Sequence, residues 1–80
     1  MQVNLITPDK LAFSGEASSV LLPGLDGYFE ILENHAPLVG ALKGGTVRIR
    51  SGQGNQEFEI SSGVAEILGN KVSILADSLT

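Results

Sequence analysis

The chain reads as an all-β protein, a two-layer β-sandwich of roughly eight to ten short, mostly antiparallel strands. Three observations predict it. Ten glycines and three prolines punctuate the 80 residues at short intervals. The runs between them are rich in Val, Ile, Leu and Phe, the side chains that suit a pleated, half-buried surface. No window keeps a helical apolar period beyond two turns.

The elements follow in order. Thr7-Pro8-Asp9-Lys10 is a turn with proline at its preferred second position. Val20-Leu21-Leu22 is apolar on both faces, and Pro23-Gly24 with Asp26-Gly27 forms the next reversal. An extended Tyr28–Leu32 puts Glu30 on the side opposite to Phe29 and Ile31, and Asn34-His35-Ala36-Pro37 turns the chain again. Lys43-Gly44-Gly45 and Ser51-Gly52-Gln53-Gly54-Asn55 are further turns.

Two hairpins can be set in register. Thr46–Arg50 lies against Glu57–Ile60, with Arg50 opposite Glu57, Arg48 opposite Glu59, Ile49 opposite Phe58 and Val47 opposite Ile60. One face is then apolar and the other a ladder of opposite charges, whereas a one-residue slip loses both. The last hairpin turns through Gly69-Asn70 and sets Ile67 opposite Val72 and Ala65 opposite Ile74. Gly63 breaks what would otherwise be an overlong strand from Gln56 to Leu68, and lets the chain switch sheets there. Val64 and Leu75 face each other on the side away from Ile67 and Val72. Apolar residues on both faces of a sandwich strand mean either strand ends tucked under loops or an outer surface that meets a partner. The last three residues, Ser78–Thr80, are expected to fray.

Eighty residues make one domain, 1–80. With no cysteine, neither disulfides nor thiolate metal sites are available. No apolar run approaches the roughly 18 residues of a membrane helix, and no cationic-then-apolar leader is present. The net charge of −4, with scattered Lys and Arg, opposes binding to nucleic acid or directly to anionic lipid.

Catalysis finds no foothold. His35 is the one histidine, but no Gly-x-Ser-x-Gly nucleophile turn accompanies it, and it reads as a turn residue beside Asn34 and Pro37. Asp26, Glu30, Glu33 and His35 fall within ten residues, yet a turn separates them and they read as solvated groups rather than a metal site. Gly52-Gln53-Gly54-Asn55 lacks the Lys-Ser/Thr ending of a phosphate loop, so neither nucleotide nor another cofactor is expected. Lys43 supports one alternative, a lipoyl- or biotinyl-type carrier domain with this lysine as attachment site, although its flanks Ala41-Leu42 and Gly44-Gly45 lack the Asp or Met of such domains.

An ordered set of segments spans nearly the whole chain: Leu5-Ile6-Thr7-Pro8-Asp9, Phe13-Ser14-Gly15-Glu16-Ala17, Leu22-Pro23-Gly24, Asn34-His35-Ala36-Pro37-Leu38, Leu42–Ile49, Ser61–Ile67 and Val72–Asp77. Together they resemble the β-sandwich of the epsilon subunit of F-type ATP synthases. The resemblance implies a non-catalytic rotor subunit that couples the membrane c-ring to the gamma shaft, peripheral on the cytoplasmic side of the bacterial inner membrane. By the same resemblance Thr7, His35, Ala36 and Pro37 match gamma-facing positions, and Tyr28 matches the position of a ring-facing glutamate. Tyr28 departs from the family pattern there, as do Glu30 where glycine is usual and Glu33 where proline is usual, so Glu30 or Glu33 is expected to supply the ring-facing charge. The C-terminal helical hairpin of most such subunits is absent from this sequence.

Overall fold

The computed structural model describes all residues from Met1 to Thr80. Nine strands account for the fold: β1 (Gln2–Thr7), β2 (Lys10–Glu16), β3 (Ser19–Gly24), β4 (Gly27–Leu32), β5 (Leu38–Leu42), β6 (Gly45–Ser51), β7 (Gly54–Ile60), β8 (Gly63–Leu68) and β9 (Lys71–Ala76). They form one curled sheet in the order β2-β1-β9-β8-β5-β3-β6-β7, with β4 on the other edge of β3. The curl makes two layers. One holds β2, β1, β9, β8 and β5, the other β7, β6, β3 and β4, and the single pair Gly24↔Leu42 joins them at a corner. All pairings are antiparallel except that of β1 with β9.

Alternation builds the core. Val3 and Leu5 of β1, Val20 and Leu22 of β3, Val47 and Ile49 of β6, Ala65 and Ile67 of β8, and Val72 and Ile74 of β9 point between the layers and are buried. Each such aliphatic side chain contributes about 1.5–3 kcal/mol when fully buried. Phe13 of β2 and Phe58 of β7 meet edge to face, ring centroids 6.4 Å apart, and link the layers along one flank.

The last hairpin has the register the sequence predicts, with Ile67↔Val72, Ala65↔Ile74 and Val64↔Leu75. Both turn residues, Gly69 (φ 58°) and Asn70 (φ 61°), adopt the left-handed conformation of a type I′ turn. At Gly63 the chain does change layers, since β7 pairs with β6 while β8 pairs with β5 and β9. The glycine is also a steric necessity: a Cβ there would lie 2.5 Å from the Leu75 carbonyl oxygen.

Three expectations are corrected. The β6–β7 register is displaced by two residues: Arg48 opposes Glu57, Val47 opposes Phe58 and Arg50 opposes Asn55. The expected pairing left Ser51–Gln56 as a long loop; the chain instead turns tightly at Gly52-Gln53, with Gly54 at φ 111°, and gains further ladder pairs. An even displacement keeps the apolar face inward, so face patterning alone cannot tell the two registers apart. Pro23 and Gly24 belong to β3 rather than to a turn, and Leu25-Asp26 is the actual reversal, closed by Gly24↔Gly27. Ser78–Thr80 are pinned along β7 rather than frayed: Ser61 donates its N–H to Ser78 O (3.2 Å), Leu79 pairs with Ile60, and Thr80 donates to Glu59 O (3.0 Å). These bonds occupy part of an otherwise open strand edge.

Candidate functional site: an apolar row on one outer face

The outer face of the β2-β1-β9-β8-β5 layer carries the most unusual surface of the molecule. Register places Leu11 beside Ile6, Ile6 beside Leu75, Leu75 beside Val64, and Val64 beside Ala41. These residues make one apolar row across five neighbouring strands, spanning about 19 Å at the usual interstrand spacing. Leu11 is 58% exposed, Leu75 53% and Val64 42%. Val39, 68% exposed, lies on the same face one pleat along β5.

A bulge completes the row. Leu5 opposes Phe13, but the register then shifts so that Ile6 opposes Leu11 and Ala12 is the extra residue. A regular ladder would have set Ala12 beside Ile6. The bulge lets Phe13 face the core while Leu11 joins the outer row. Sequence reading finds the centre of the row in the Val64–Leu75 pair. It misses Leu11 and Ile6, because their place depends on the β1–β9 pairing and the bulge, neither of which leaves a local pattern.

The opposite outer face differs. Glu30 of β4 and Arg48 of β6 flank half-buried Leu21, and Arg48 Nε donates to Glu57 Oε2 at 2.8 Å. The Thr46 hydroxyl bonds to Glu59. Tyr28 is half exposed, but its phenol oxygen accepts the backbone N–H of Thr46 at 2.9 Å. Gly45 makes room for this, since a Cβ there would lie 2.6 Å from that oxygen.

The residues singled out in the sequence are split between the two ends of the sandwich. Thr7 ends β1 near Ala76; it is buried, and its hydroxyl donates to Asp9 Oδ1 at 2.8 Å. That bond, before any other influence, holds the Asp9 carboxyl below its ordinary range. His35, Ala36 and Pro37 occupy the β4–β5 connection at the other end. There Asn34 (φ 63°) donates its N–H to Asn70 Oδ1 (3.1 Å), and His35 Nδ1 donates to the Ala36 carbonyl (2.7 Å). Tyr28 shares Thr7's end and Glu33 shares that of His35. Glu33 is not a free charge: its Oε1 accepts the Met1 amine at 2.5 Å and its Oε2 accepts Asn70 Nδ2 at 3.3 Å. Those bonds, the amine's first, hold the Glu33 carboxyl below its ordinary range. Glu33 in turn is the main cause that raises the Met1 amine, against the opposing effect of its burial. Lys43 stands at the corner between layers, its backbone N–H donated to Pro23 O (2.9 Å), and not at the tip of a hairpin, because β5 and β6 do not pair.

No three His, Cys, Asp or Glu side chains come together as a metal site, and no helix is long and apolar enough to cross a membrane. The geometry offers a surface rather than a reactive centre. Residues 1–80 match the family described as the ATP synthase delta/epsilon chain, β-sandwich domain. The chain belongs to this family. It is 45% identical over 80 residues to the ATP synthase epsilon chain of Chlorobium limicola, covering 99% of this chain and 91% of that one. It is 42% identical over 77 residues to the epsilon chain of Leptospira interrogans, where it spans 96% of this chain but only 61% of the relative. The fold also matches a chain of the Tetrahymena thermophila mitochondrial ATP synthase central stalk and c-ring structure, with a TM-score of 0.85, 19% identity, and coverage of 99% and 64%. A chain of the Euglena gracilis mitochondrial ATP synthase structure superimposes with a TM-score of 0.89 at 20% identity, covering 98% of this chain and 51% of that one. An epsilon-type chain of this family is a non-catalytic part of the rotor stalk of ATP synthase. The carrier-domain alternative at Lys43 is thereby set aside.

Proposed function

We propose that residues 1–80 act as one domain that fixes the gamma shaft to the c-ring, so that proton-driven rotation of the ring reaches the catalytic head. The observation that carries this reading is the apolar row Leu11–Ile6–Leu75–Val64–Ala41, a solvent-facing strip supported by a stiff sheet. Coupling torque requires a body that neither bends nor lets go. A two-layer sheet supplies the first, and burial of the row against a partner supplies the second.

In this reading the row faces the shaft. Thr7 at one end of the layer, and His35, Ala36 and Pro37 at the other, border the same contact. The Tyr28 end faces the ring. With Glu33 bound to the Met1 amine, Glu30 is the acid on β4 left to supply charge there, and it is exposed. The complex places the chain on the cytoplasmic side of a bacterial inner membrane, as a peripheral subunit.

Co-expression with a gamma subunit followed by size-exclusion chromatography tests the proposal. Co-elution is the expected result, and separate elution of two folded proteins would refute it. For the ring contact, Glu30→Lys is expected to weaken capture by isolated c-rings at low salt; unchanged capture would remove Glu30 from the contact.

A further inference from the structure

The sandwich has two open flanks. Phe13 and Phe58 bridge one of them. The other, between β4 and β5, is not bridged and holds a groove of about 470 Å³ lined by the Leu25-Asp26 turn, Tyr28, Phe29, Leu38 and Gly40 among others.

Both strands beside this groove have free edges. β4 pairs only with β3. β5 pairs with β8 along its length but touches β3 only at Leu42. Lys43 sends its N–H toward β3. Backbone groups alternate sides along a strand, so those of Ala41 and Val39 point the same way and meet no strand. On the inner side of β5, between Leu38 and Leu42, Gly40 has nothing within 4 Å of where a Cβ would stand. The sheet thus stops at a strand with spare hydrogen-bonding groups, beside an opening in its own interior.

We propose that this flank receives an extended segment of the gamma shaft, which adds to the free edge of β5 as a further strand. The inference rests on the rotor reading above. The shape of the vacancy selects an extended chain: Val39 and Ala41 offer N–H and C=O groups at strand spacing. A side chain entering beside Gly40 lands between Leu38 and Phe29, so an aliphatic residue belongs there. Side chains on the other face of the added strand continue the apolar row past Ala41 and Val39, making one uninterrupted contact. The Asp26 carboxylate at the mouth of the groove forms no ion pair within the chain, and it selects a Lys or Arg at the end of the segment.

Gly40→Val tests this directly. The site has room for the side chain and valine favours strands, so the melting temperature should hold or rise. Affinity for co-expressed gamma should fall at least about tenfold, because the valine occupies the opening. In the complex of the unsubstituted chain with gamma, the Val39 and Ala41 amides should exchange with deuterium at least about tenfold more slowly than in the free chain. Asp26→Asn should weaken binding about threefold at low salt and flatten its salt dependence. Normal gamma binding by Gly40→Val, together with Val39 and Ala41 amides exchanging at free-chain rates in the complex, would overturn the proposal and leave the rotor reading standing. Should the unsubstituted chain fail to bind gamma, the rotor reading itself fails. Were Gly40→Val to misfold, the amide rates of the unsubstituted complex decide alone. Edge-to-edge dimers of the free chain, protected at the same amides, would also overturn it.

Discussion

The two outer faces of the sandwich have the same architecture and opposite chemistry. On the β4-β3-β6-β7 side, polar groups are matched within the chain: Arg48 with Glu57, Thr46 with Glu59, and Tyr28 with the Thr46 amide. On the β2-β1-β9-β8-β5 side, Leu11, Ile6, Leu75 and Val64 line up across the strands, with Leu11, Leu75 and Val64 substantially exposed. A face whose side chains largely satisfy one another asks little of a partner, although Glu30 on β4 forms no ion pair. A face that leaves a connected apolar strip in water is the one suited to burial against a partner. Which strands carry the strip, more than overall composition, is what distinguishes the two faces.

The largest expected effect removes the ground beneath the strip. Gly63→Ala forces a methyl group against the Leu75 carbonyl and should destabilise the chain by about 3 kcal/mol in urea unfolding. A loss under 1 kcal/mol would show that β8 and β9 can shift apart. Next, Leu75→Glu puts a charge in the middle of the strip while leaving a half-exposed site solvated. Melting should change little, and gamma affinity should drop by about 2 kcal/mol, roughly thirtyfold, in a titration. The matched face supplies the control. Arg48→Ala and Glu57→Ala should each leave gamma affinity unchanged, and a double-mutant cycle on stability should return about 0.5 kcal/mol for this exposed pair. A coupling well above 1 kcal/mol, or a loss of binding, would erase the contrast between the faces.

The smallest effect concerns pH. The Glu33 carboxyl is held below its ordinary value near 4.5, so its contribution is present at neutral pH and is lost as pH falls through the depressed value. The Met1 amine is raised above its ordinary value near 8.0, so its contribution is complete below that value and is lost as pH rises through the raised one. Thermal melts should therefore show a shoulder at each extreme. Glu33→Gln should shrink both shoulders, because Glu16 still supports the amine at the alkaline one and Asp9, also depressed, still contributes to the acid one.

Local signals carried most of the fold. Alternating residues and Gly-Asn chemistry identify the β8–β9 hairpin with its partners, and Gly63 announces the change of layer. Distant or degenerate relations escaped. Nothing near Gln2–Ile6 indicates that these residues pair in parallel with Lys71–Leu75, because the two segments stand far apart in the sequence and share no turn. The β6–β7 register escaped because an even displacement preserves the face pattern. The candidate surface shows the same division: Val64 and Leu75 are legible as a hairpin pair, while Leu11 enters the row through a bulge and Ile6 through the parallel pairing.

That parallel pairing bears on birth as well as on shape. On the ribosome, β1 emerges well before its neighbour β9 is made. No product that stops short of β9 can seat Ile6 beside Leu75. A nascent chain therefore cannot complete the apolar row until β9 has been made. Closure across so long a stretch of chain also slows folding, so the row is among the last features to form.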